Sequence, residues 1–224
     1  MQSERASLFA TDPPHLVGYD DDKGATSTDA YDRKRDDPAQ GEELYDGFIS
    51  AAIAEAITED AARYCWHASR NQAIVERVWD RHGAFVRQQI IWVKDRAIFG
   101  RSWYQWQHEP CLFGWIRGNR PREAPSDKQR TVWQFTSSRT ETSEDHPTAK
   151  PVELFEIPML EHTSRGDWVY EPFTGSGTQH VAAERLGRIC YGIEIPPAFV
   201  ALTLQRLTDM GLEPRLAGVG ARSV

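Results

Sequence analysis

The sequence predicts a single α/β domain in which helices cover both faces of a sheet. Strand-like and helix-like segments alternate along most of the chain, which is typical of this fold class. The length of 224 residues suits one sizeable domain, and a composition of 40% hydrophobic and 26% charged residues is near the globular average. A glycine-rich turn at residues 171–177 joins a strand-like segment to a helix-like one.

The first half of the chain is predicted to alternate between strands and helices. SLFAT is apolar and stops at two prolines, which favours a short buried strand. Apolar residues at helical spacing predict the next helix, and Ser69 suits the N-cap of the second. The predicted elements are strand 7–11, helix 42–58, strand 62–68, helix 69–83, strand 88–94 and strand 108–116. Pro110 indicates that the last of these strands lies at a sheet edge.

The second half continues the alternation after a polar interval. Pro151 suits the first turn of a helix, and Gly187 the end of another. The predicted elements are a strand-like segment 131–135, helix 151–162, strand 167–173, helix 177–187, strand 188–195 and a final helix 197–210 opened by Pro196. Two polar segments without periodicity, 18–41 and 117–145, are predicted to be a long loop and an insert.

Charge, hydropathy and cysteine spacing argue against a membrane-spanning, secreted or metal-binding protein. The net charge is −7, with an acidic excess over residues 19–60 and basic excesses of +3 over 87–101 and +4 over 113–139. No apolar run approaches the roughly 18 residues of a membrane span. The start lacks a secretory signal, and the three cysteines have no metal-binding spacing. We therefore expect a cytoplasmic protein with reduced thiols, no membrane partner and no metal.

The segment EPFTGSG, residues 171–177, has the features of a ligand loop. Gly175 and Gly177 let the backbone turn sharply and approach a ligand, and the following helix offers free N–H groups. No Lys-Ser or Lys-Thr follows, which argues against a phosphate loop. The next strand ends at Glu194, where an acidic group can accept hydrogen bonds from ribose hydroxyls. The turn and Glu194 together favour a nucleoside site over an ordinary turn beside a solvated strand end.

The segment TDPPH, residues 11–15, ends the first predicted strand. Two prolines fix φ, remove two N–H donors and force Asp12 out of the helical region, so the turn is stiff. The Asp12 carboxylate and the Pro13 carbonyl then form a pair of acceptors that suits an amino group. Taken alone, this segment predicts only a turn, and HPTAKP at 146–151 predicts only a proline-rich helix entrance.

Together, the three segments resemble the motifs of the amino-methylating DNA methyltransferases that use S-adenosylmethionine, the DNA methylase N-4/N-6 family. Asp12-Pro13-Pro14-His15 corresponds to its D/N/S-P-P-aromatic tetrapeptide, and Phe173-Thr174-Gly175-Ser176-Gly177 to its F-x-G-x-G cofactor loop. The tetrapeptide comes first, HPT-x-KP second and the cofactor loop third. That order resembles the permuted β group, which includes many phage and restriction-modification enzymes.

The resemblance implies one Rossmann-like methyltransferase domain over 1–224, with a mostly parallel seven-stranded sheet and a reversed last strand. It assigns catalysis and contact with the flipped base to Asp12, Pro13, Pro14 and His15. It assigns binding of S-adenosylmethionine to Phe173, Thr174, Gly175, Ser176, Gly177 and Glu194, with Lys150, Thr148 and His146 closing the pocket. The polar loop 18–41 would lie near the target base.

The basic middle of the chain is predicted to contact double-stranded DNA within the insert 117–145, although a solvated loop is the simpler alternative. The residues concerned are Arg117, Arg120, Arg122, Lys128 and Arg130. The sequence leaves the choice between a monomer and a homodimer open.

The predicted reaction is methylation of adenine N6, because the family more often has Ser than Asp at the first tetrapeptide position when cytosine N4 is the target. Cytosine N4 is the alternative. Attack on cytosine C5 needs a nucleophilic cysteine, but Cys111 lies in an apolar run before the cofactor loop and is interpreted as a core thiol.

Two further classes of function remain as alternatives. His15 at the aromatic position and the short stretch before Asp12 favour a DNA-binding module without catalysis, whereas the intact motifs oppose it. Methylation of RNA or of a protein glutamine is disfavoured by the motif order.

Overall fold

A computed structural model describes residues 4–15, 41–98, 103–123, 129–136 and 150–216. Twelve regular elements lie within these ranges. In chain order they are β1 (Ala6–Thr11), α1 (Gly41–Ala51), β2 (Ile57–Trp66), α2 (Gln72–Arg81), β3 (Ala84–Ile98), β4 (Trp106–Ile116), β5 (Val132–Gln134), α3 (Glu153–His162), β6 (Trp168–Glu171), α4 (Thr178–Leu186), β7 (Ile189–Gly192) and α5 (Pro197–Asp209). A π-helical turn follows α1, and a 3-10 turn precedes α2.

Among the described residues, seven strands form one sheet in the order β5-β3-β4-β2-β1-β6-β7. Only β4 is antiparallel to its neighbours, so the predicted mostly parallel seven-stranded sheet is confirmed. The reversed strand is fourth along the chain and lies inside the sheet, which corrects the expectation of a reversed last strand. The sheet extends through β2 on one side of β1 and through β6 and β7 on the other. This arrangement makes the carboxyl ends of β1 and β6 a topological switch point, where open α/β sheets bind ligands.

Helices cover both faces of the sheet, as predicted. On one face, buried residues of α3 and α4 pack with a group of tryptophans from β2, β3 and β5. On the other face, α1 and α2 pack against the opposite side chains of the central strands. Successive residues of β1 alternate between these two cores, Leu8 and Ala10 on one side and Phe9 on the other, because side chains alternate along a strand. None of the described helices has the length and hydrophobicity to cross a membrane.

The predicted helix 42–58 is too long. α1 ends at Ala51, and after the π-helical turn Ile57 has the extended φ and ψ of −119° and 156°. Ile57 is buried and pairs with Ala6 of β1, so β2 begins five residues earlier than the predicted strand at 62. Pairing with a distant strand therefore overrides the local helical pattern.

Pro110 does not mark a sheet edge, because β4 lies between β3 and β2. Pairing of β2 with β4 ends at Trp66 and Cys111, one residue short of Pro110. The Pro110 carbonyl accepts a hydrogen bond from the His67 N–H at 3.2 Å. The proline thus stands where the ladder with β2 stops, and its missing N–H costs no strand pairing.

A fully buried carboxylate, Glu171, joins the ends of β1 and β6. It accepts hydrogen bonds from the Thr11 hydroxyl (2.9 Å), the Asp12 N–H (3.2 Å), the Phe173 N–H (2.7 Å) and the Gln179 amide. Burial nevertheless raises the pKa of Glu171 from 4.5 to about 8, against the effect of these donors.

We expect Glu171 to make the free energy of unfolding depend on pH. Because its folded-state pKa lies above the unfolded value, the stability gained by holding this proton is complete below about pH 4.5 and is lost as the pH rises through about 8. Urea unfolding across this range should show the wild type losing stability relative to Glu171→Gln, whatever the absolute stability of that variant. The exposed Glu184→Gln serves as the control. Parallel curves for wild type and Glu171→Gln would contradict the prediction.

Candidate active site

The switch point brings together the predicted catalytic and cofactor-binding motifs. Asp12 follows β1 directly, and Phe173 lies two residues beyond the end of β6. Both of their backbone N–H groups donate to the same side chain, Glu171. The predicted catalytic turn and the predicted cofactor loop therefore lie side by side at the carboxyl edge of the sheet.

The turn at residues 12–15 is held by side chains from the α1–α2 face. The Tyr45 hydroxyl donates to the Pro14 carbonyl at 3.2 Å, and the Asn71 amide donates to the His15 carbonyl at 2.6 Å. Pro13 is buried, and the His15 ring lies with its Nε2 3.3 Å from Asp12 Oδ1. These contacts fix the direction of the His15 side chain as well as that of Asp12.

Lys150, the last basic residue of HPTAKP, contacts Asp12 directly. Its Nζ donates to both carboxylate oxygens of Asp12 at 2.6 Å, and it lies 3.0 Å from Glu109 Oε2. The ammonium also lies 5.5 Å from the Trp66 ring centroid. On its other side, Glu109 pairs with Lys94. Charges of alternating sign thus run from Asp12 through Lys150 and Glu109 to Lys94.

This row of charges determines the ionisation of its members. Burial by itself would raise the pKa of Asp12, but Lys150 and His15 together lower it far below its ordinary value. Burial would likewise raise the pKa of Glu109, but the positive charges of Lys150, His15 and Lys94 lower it to about 2. Burial opposes the charge on Lys150, but Asp12 and Glu109 raise its pKa above the usual range. Asp12 is therefore a carboxylate throughout the neutral pH range, and about a quarter of its side chain stays exposed to solvent.

The glycine loop is closed by Glu194. The Gly175 N–H donates to Glu194 Oε2 at 2.6 Å, and the Ile195 N–H donates to Oε1 at 2.8 Å. Glu194 follows the end of β7, so the sequence-based pairing of the glycine turn with this acidic residue agrees with the geometry.

Residues of α5 support the loop from behind. The Thr203 hydroxyl donates to the Gly175 carbonyl at 3.2 Å, and Arg206 donates to the Ser176 carbonyl at 2.7 Å. Gly177 has a φ of +77°, and a Cβ there would lie 2.6 Å from the Thr203 side chain. Glycine is required at this position both by the backbone conformation and by the close approach of α5.

Three of the predicted DNA-contacting arginines lie at the opposite ends of the central strands from Asp12, on the side of the sheet where β1 begins. β4 runs opposite to β1, so Arg117 follows its end roughly 15 Å from the level of Thr11 along the strands. Arg117 pairs with Asp80, Arg120 with Glu123, and Arg122 donates to Ser164 ahead of β6. The structure does not bring these side chains to the edge that carries Asp12, and their role in DNA binding stays a prediction. Arg130 is exposed beside β5.

Some of the predicted site residues lie outside the described ranges, namely His146, Thr148, Lys128 and all of the loop 18–41 except Gly41. Conversely, the sequence analysis did not single out Glu171 and Glu109, which contact the site. The position of Glu171 directly after a strand, as the first residue of EPFTGSG, was a usable signal, whereas nothing in the sequence around Glu109 indicated its contact with Lys150. Cys111 is fully buried, and burial raises its thiol pKa, in agreement with its interpretation as a core thiol.

Comparison with known proteins identifies the family. The model of a DNA methylase family matches residues 6–205. The type II methyltransferase M2.DpnII of Streptococcus pneumoniae is 31% identical over 144 residues, covering 57% of this chain and 53% of that protein. The DNA adenine methyltransferase YhdJ of Escherichia coli is 24% identical over 241 residues, covering 92% and 77%. The chain spans about half the length of M2.DpnII and of other type II relatives that it matches.

Solved structures agree on the fold. The M1.HpyAVI–SAM complex has a TM-score of 0.69 at 22% identity, covering 92% of this chain and 90% of that one. The cytosine-N4-specific PvuII DNA methyltransferase has a TM-score of 0.69 at 17% identity, covering 96% and 82%. Since the family model spans nearly the whole chain and both motifs meet at the switch point of the sheet, this protein belongs to the DNA methylase family of N6 and N4 amino-methyltransferases.

Proposed function

We propose that this protein is a DNA methyltransferase that methylates the exocyclic amino group of a base in double-stranded DNA, with S-adenosylmethionine as methyl donor. The observation that carries the proposal is the position of an ionised, partly exposed Asp12 beside a glycine loop, with both segments fixed by Glu171. S-adenosylmethionine supplies an electrophilic methyl group when bound.

The glycine loop has the groups that such a cofactor needs. The Glu194 carboxylate stands at the end of β7, where it can accept hydrogen bonds from a ribose diol. The Thr174 hydroxyl is buried and has no hydrogen-bond partner among the described residues, so a polar group is available at the loop. Gly175 is only partly buried and leaves the backbone accessible, and Phe173 packs edge-on against Phe48 to form an apolar wall.

The rigid turn at residues 12–15 prepares the target nitrogen. An exocyclic amino group is a poor nucleophile because its lone pair is delocalised into the ring. Hydrogen bonds from this group to the Asp12 carboxylate and the Pro13 carbonyl favour a tetrahedral nitrogen with a localised lone pair. The negative charge of Asp12 also stabilises the positive charge that develops on nitrogen. His15 stacks on the flipped base, in a direction set by the two prolines and by Asn71.

Lys150 is proposed to orient Asp12 rather than to bind the cofactor. Its ammonium contacts both Asp12 oxygens and is almost fully buried, so it restricts the carboxylate to one rotamer and keeps it ionised. Glu109 balances part of the lysine charge, so Asp12 can still accept a hydrogen bond from the amino group.

Adenine N6 is the proposed target, with cytosine N4 as the second candidate. Asp12 at the first tetrapeptide position and the adenine specificity in the name of YhdJ favour adenine. The structural match to the cytosine-N4-specific PvuII enzyme, whose TM-score of 0.69 equals that of the M1.HpyAVI–SAM complex, keeps cytosine N4 as the alternative. The names of the type II relatives support a role in restriction-modification, and we expect the protein to act in the cytoplasm, where its three thiols stay reduced.

Nucleoside analysis by mass spectrometry will test the target base. We expect N6-methyladenine in DNA from cells that express the protein and none from cells that express Asp12→Ala. Long-read sequencing of the same DNA then gives the sequence context. Detection of N4-methylcytosine alone would replace adenine by cytosine, and the absence of both modifications would reject the proposed reaction.

Asp12→Ala is expected to lower kcat/KM at least about a hundredfold, since a group that stabilises charge in the transition state is lost. Affinity for S-adenosylmethionine should stay near the wild-type value, because Glu109 continues to balance Lys150. Lys150→Met should also lose activity, and the double variant should be no worse than Asp12→Ala, because Lys150 acts through Asp12. Asp46→Ala, which removes an exposed acid that pairs with Arg81, is the control. Additive losses in the double variant would contradict the assigned role of Lys150.

Glu194→Ala is expected to weaken binding of S-adenosylmethionine by about 1–3 kcal/mol, the range for leaving polar groups unpaired. Isothermal titration calorimetry measures this directly, with the exposed Glu184→Ala on α4 as the matched control. Equal affinities for wild type and Glu194→Ala would remove Glu194 from the cofactor site.

A further inference from the structure

The hairpin of β3 and β4 extends well beyond the edge of the sheet that carries Asp12. Thr11 is level with Cys65, which pairs in turn with Leu112 of β4. From Leu112, β4 extends six residues back to Trp106, a distance of about 20 Å at strand spacing. Pairing of β2 with β4 has already ended at Trp66, and pairing of β5 with β3 ends at Val93. Beyond these points, β3 and β4 form a two-stranded arm among the described residues.

Large aromatic side chains are exposed at the end of this arm. Trp103 is 100% exposed, Tyr104 89% and Trp106 50%. Aromatic rings are normally the largest contributors to buried area, so three of them in four residues at an exposed tip indicate a surface that meets a partner. We call Trp103, Tyr104 and Trp106 the aromatic tip.

A cationic side chain on the arm indicates the chemistry of that partner. Arg96 is about three-quarters exposed, and its Nε lies 3.7 Å from Asp95 Oδ2. A guanidinium beside flat aromatic rings fits a nucleic acid, which offers phosphates and the π-faces of bases. An acidic or purely apolar partner would use only one of these features.

We infer that the arm binds the DNA substrate and that the aromatic tip stacks on bases uncovered next to the target when it leaves the duplex. The identity of the polymer rests on the proposed function. The arm starts from the edge where the target base meets Asp12, so a duplex lying there runs along it. Phosphates contact Arg96, and the rings of the aromatic tip cover the bases that have lost their stacking neighbour.

Fluorescence anisotropy with two labelled duplexes of mixed sequence tests this inference. One duplex is fully paired, and the other carries a central mismatch that leaves bases unstacked. Trp103→Ala/Tyr104→Ala should bind the mismatched duplex about tenfold more weakly than the wild type, as expected for loss of base stacking. Trp103→Phe/Tyr104→Phe should bind like the wild type, because an aromatic ring is kept at each position. Arg185→Ala, which replaces an exposed arginine in the last turn of α4, is the control and should also bind like the wild type.

The same variants show how the inference would fail. Wild-type affinity of Trp103→Ala/Tyr104→Ala for the mismatched duplex would overturn it. A wild-type dimer in sedimentation that the alanine variant cannot form, with DNA affinity unchanged, would instead assign the aromatic tip to contact between copies of the chain. The inference about the arm is tested by affinity for the duplexes. The proposed reaction is tested separately, by binding of S-adenosylmethionine and by the methylated nucleosides that the wild type produces.

Discussion

One buried carboxyl side chain holds together the two strand ends on which the proposed chemistry depends. Glu171 accepts donors from both sides of the switch point, Thr11 and the Asp12 N–H on one side and the Phe173 N–H on the other. A parallel sheet aligns strand ends only to within the reach of a side chain, and the loops that follow are free to diverge. The shared acceptor removes that freedom, so the turn at residues 12–15 and the glycine loop keep one relative position. In the proposed reaction, these hydrogen bonds inside the core set the separation between the methyl donor and the methyl acceptor.

A second constraint orients the functional groups at this position. Asp12, Lys150, Glu109 and Lys94 alternate in charge, and Lys150 is almost fully buried while Glu109 is partly buried. Removing one partner from a buried pair is costly because it leaves an uncompensated charge. In this row each inner group has a partner on either side, so the loss of one contact leaves another in place. The arrangement combines a fixed orientation of Asp12 with tolerance of local change.

Local patterns predicted most of the strands and helices, and the elements that failed did so because of distant partners. SLFAT, the glycine turn and the position of Glu194 follow from short-range rules of burial, turn geometry and strand length. The early start of β2 depends on pairing of Ile57 with Ala6, and the interior position of Pro110 depends on where the ladder with β2 ends. Likewise, the contact between Lys150 and Asp12 joins residues 138 positions apart, which no pattern within HPTAKP encodes. The reversal of β4 carried Arg117 to the far edge, although its basic segment suggested a place near the substrate.

The order of the strands along the chain has a consequence for synthesis of the protein. β1 leaves the ribosome well before its neighbour β6, because Thr11 and Glu171, which are in contact, are 160 positions apart. Until then, one edge of a buried apolar strand stays without its partner, and unpaired edges of this kind invite association with other chains. Contacts of such long range also slow folding, since a long loop must close before they form. The turn that carries Asp12 is thus made long before Glu171 completes it, and a nascent chain acquires this site only after β6 and the glycine loop have been translated.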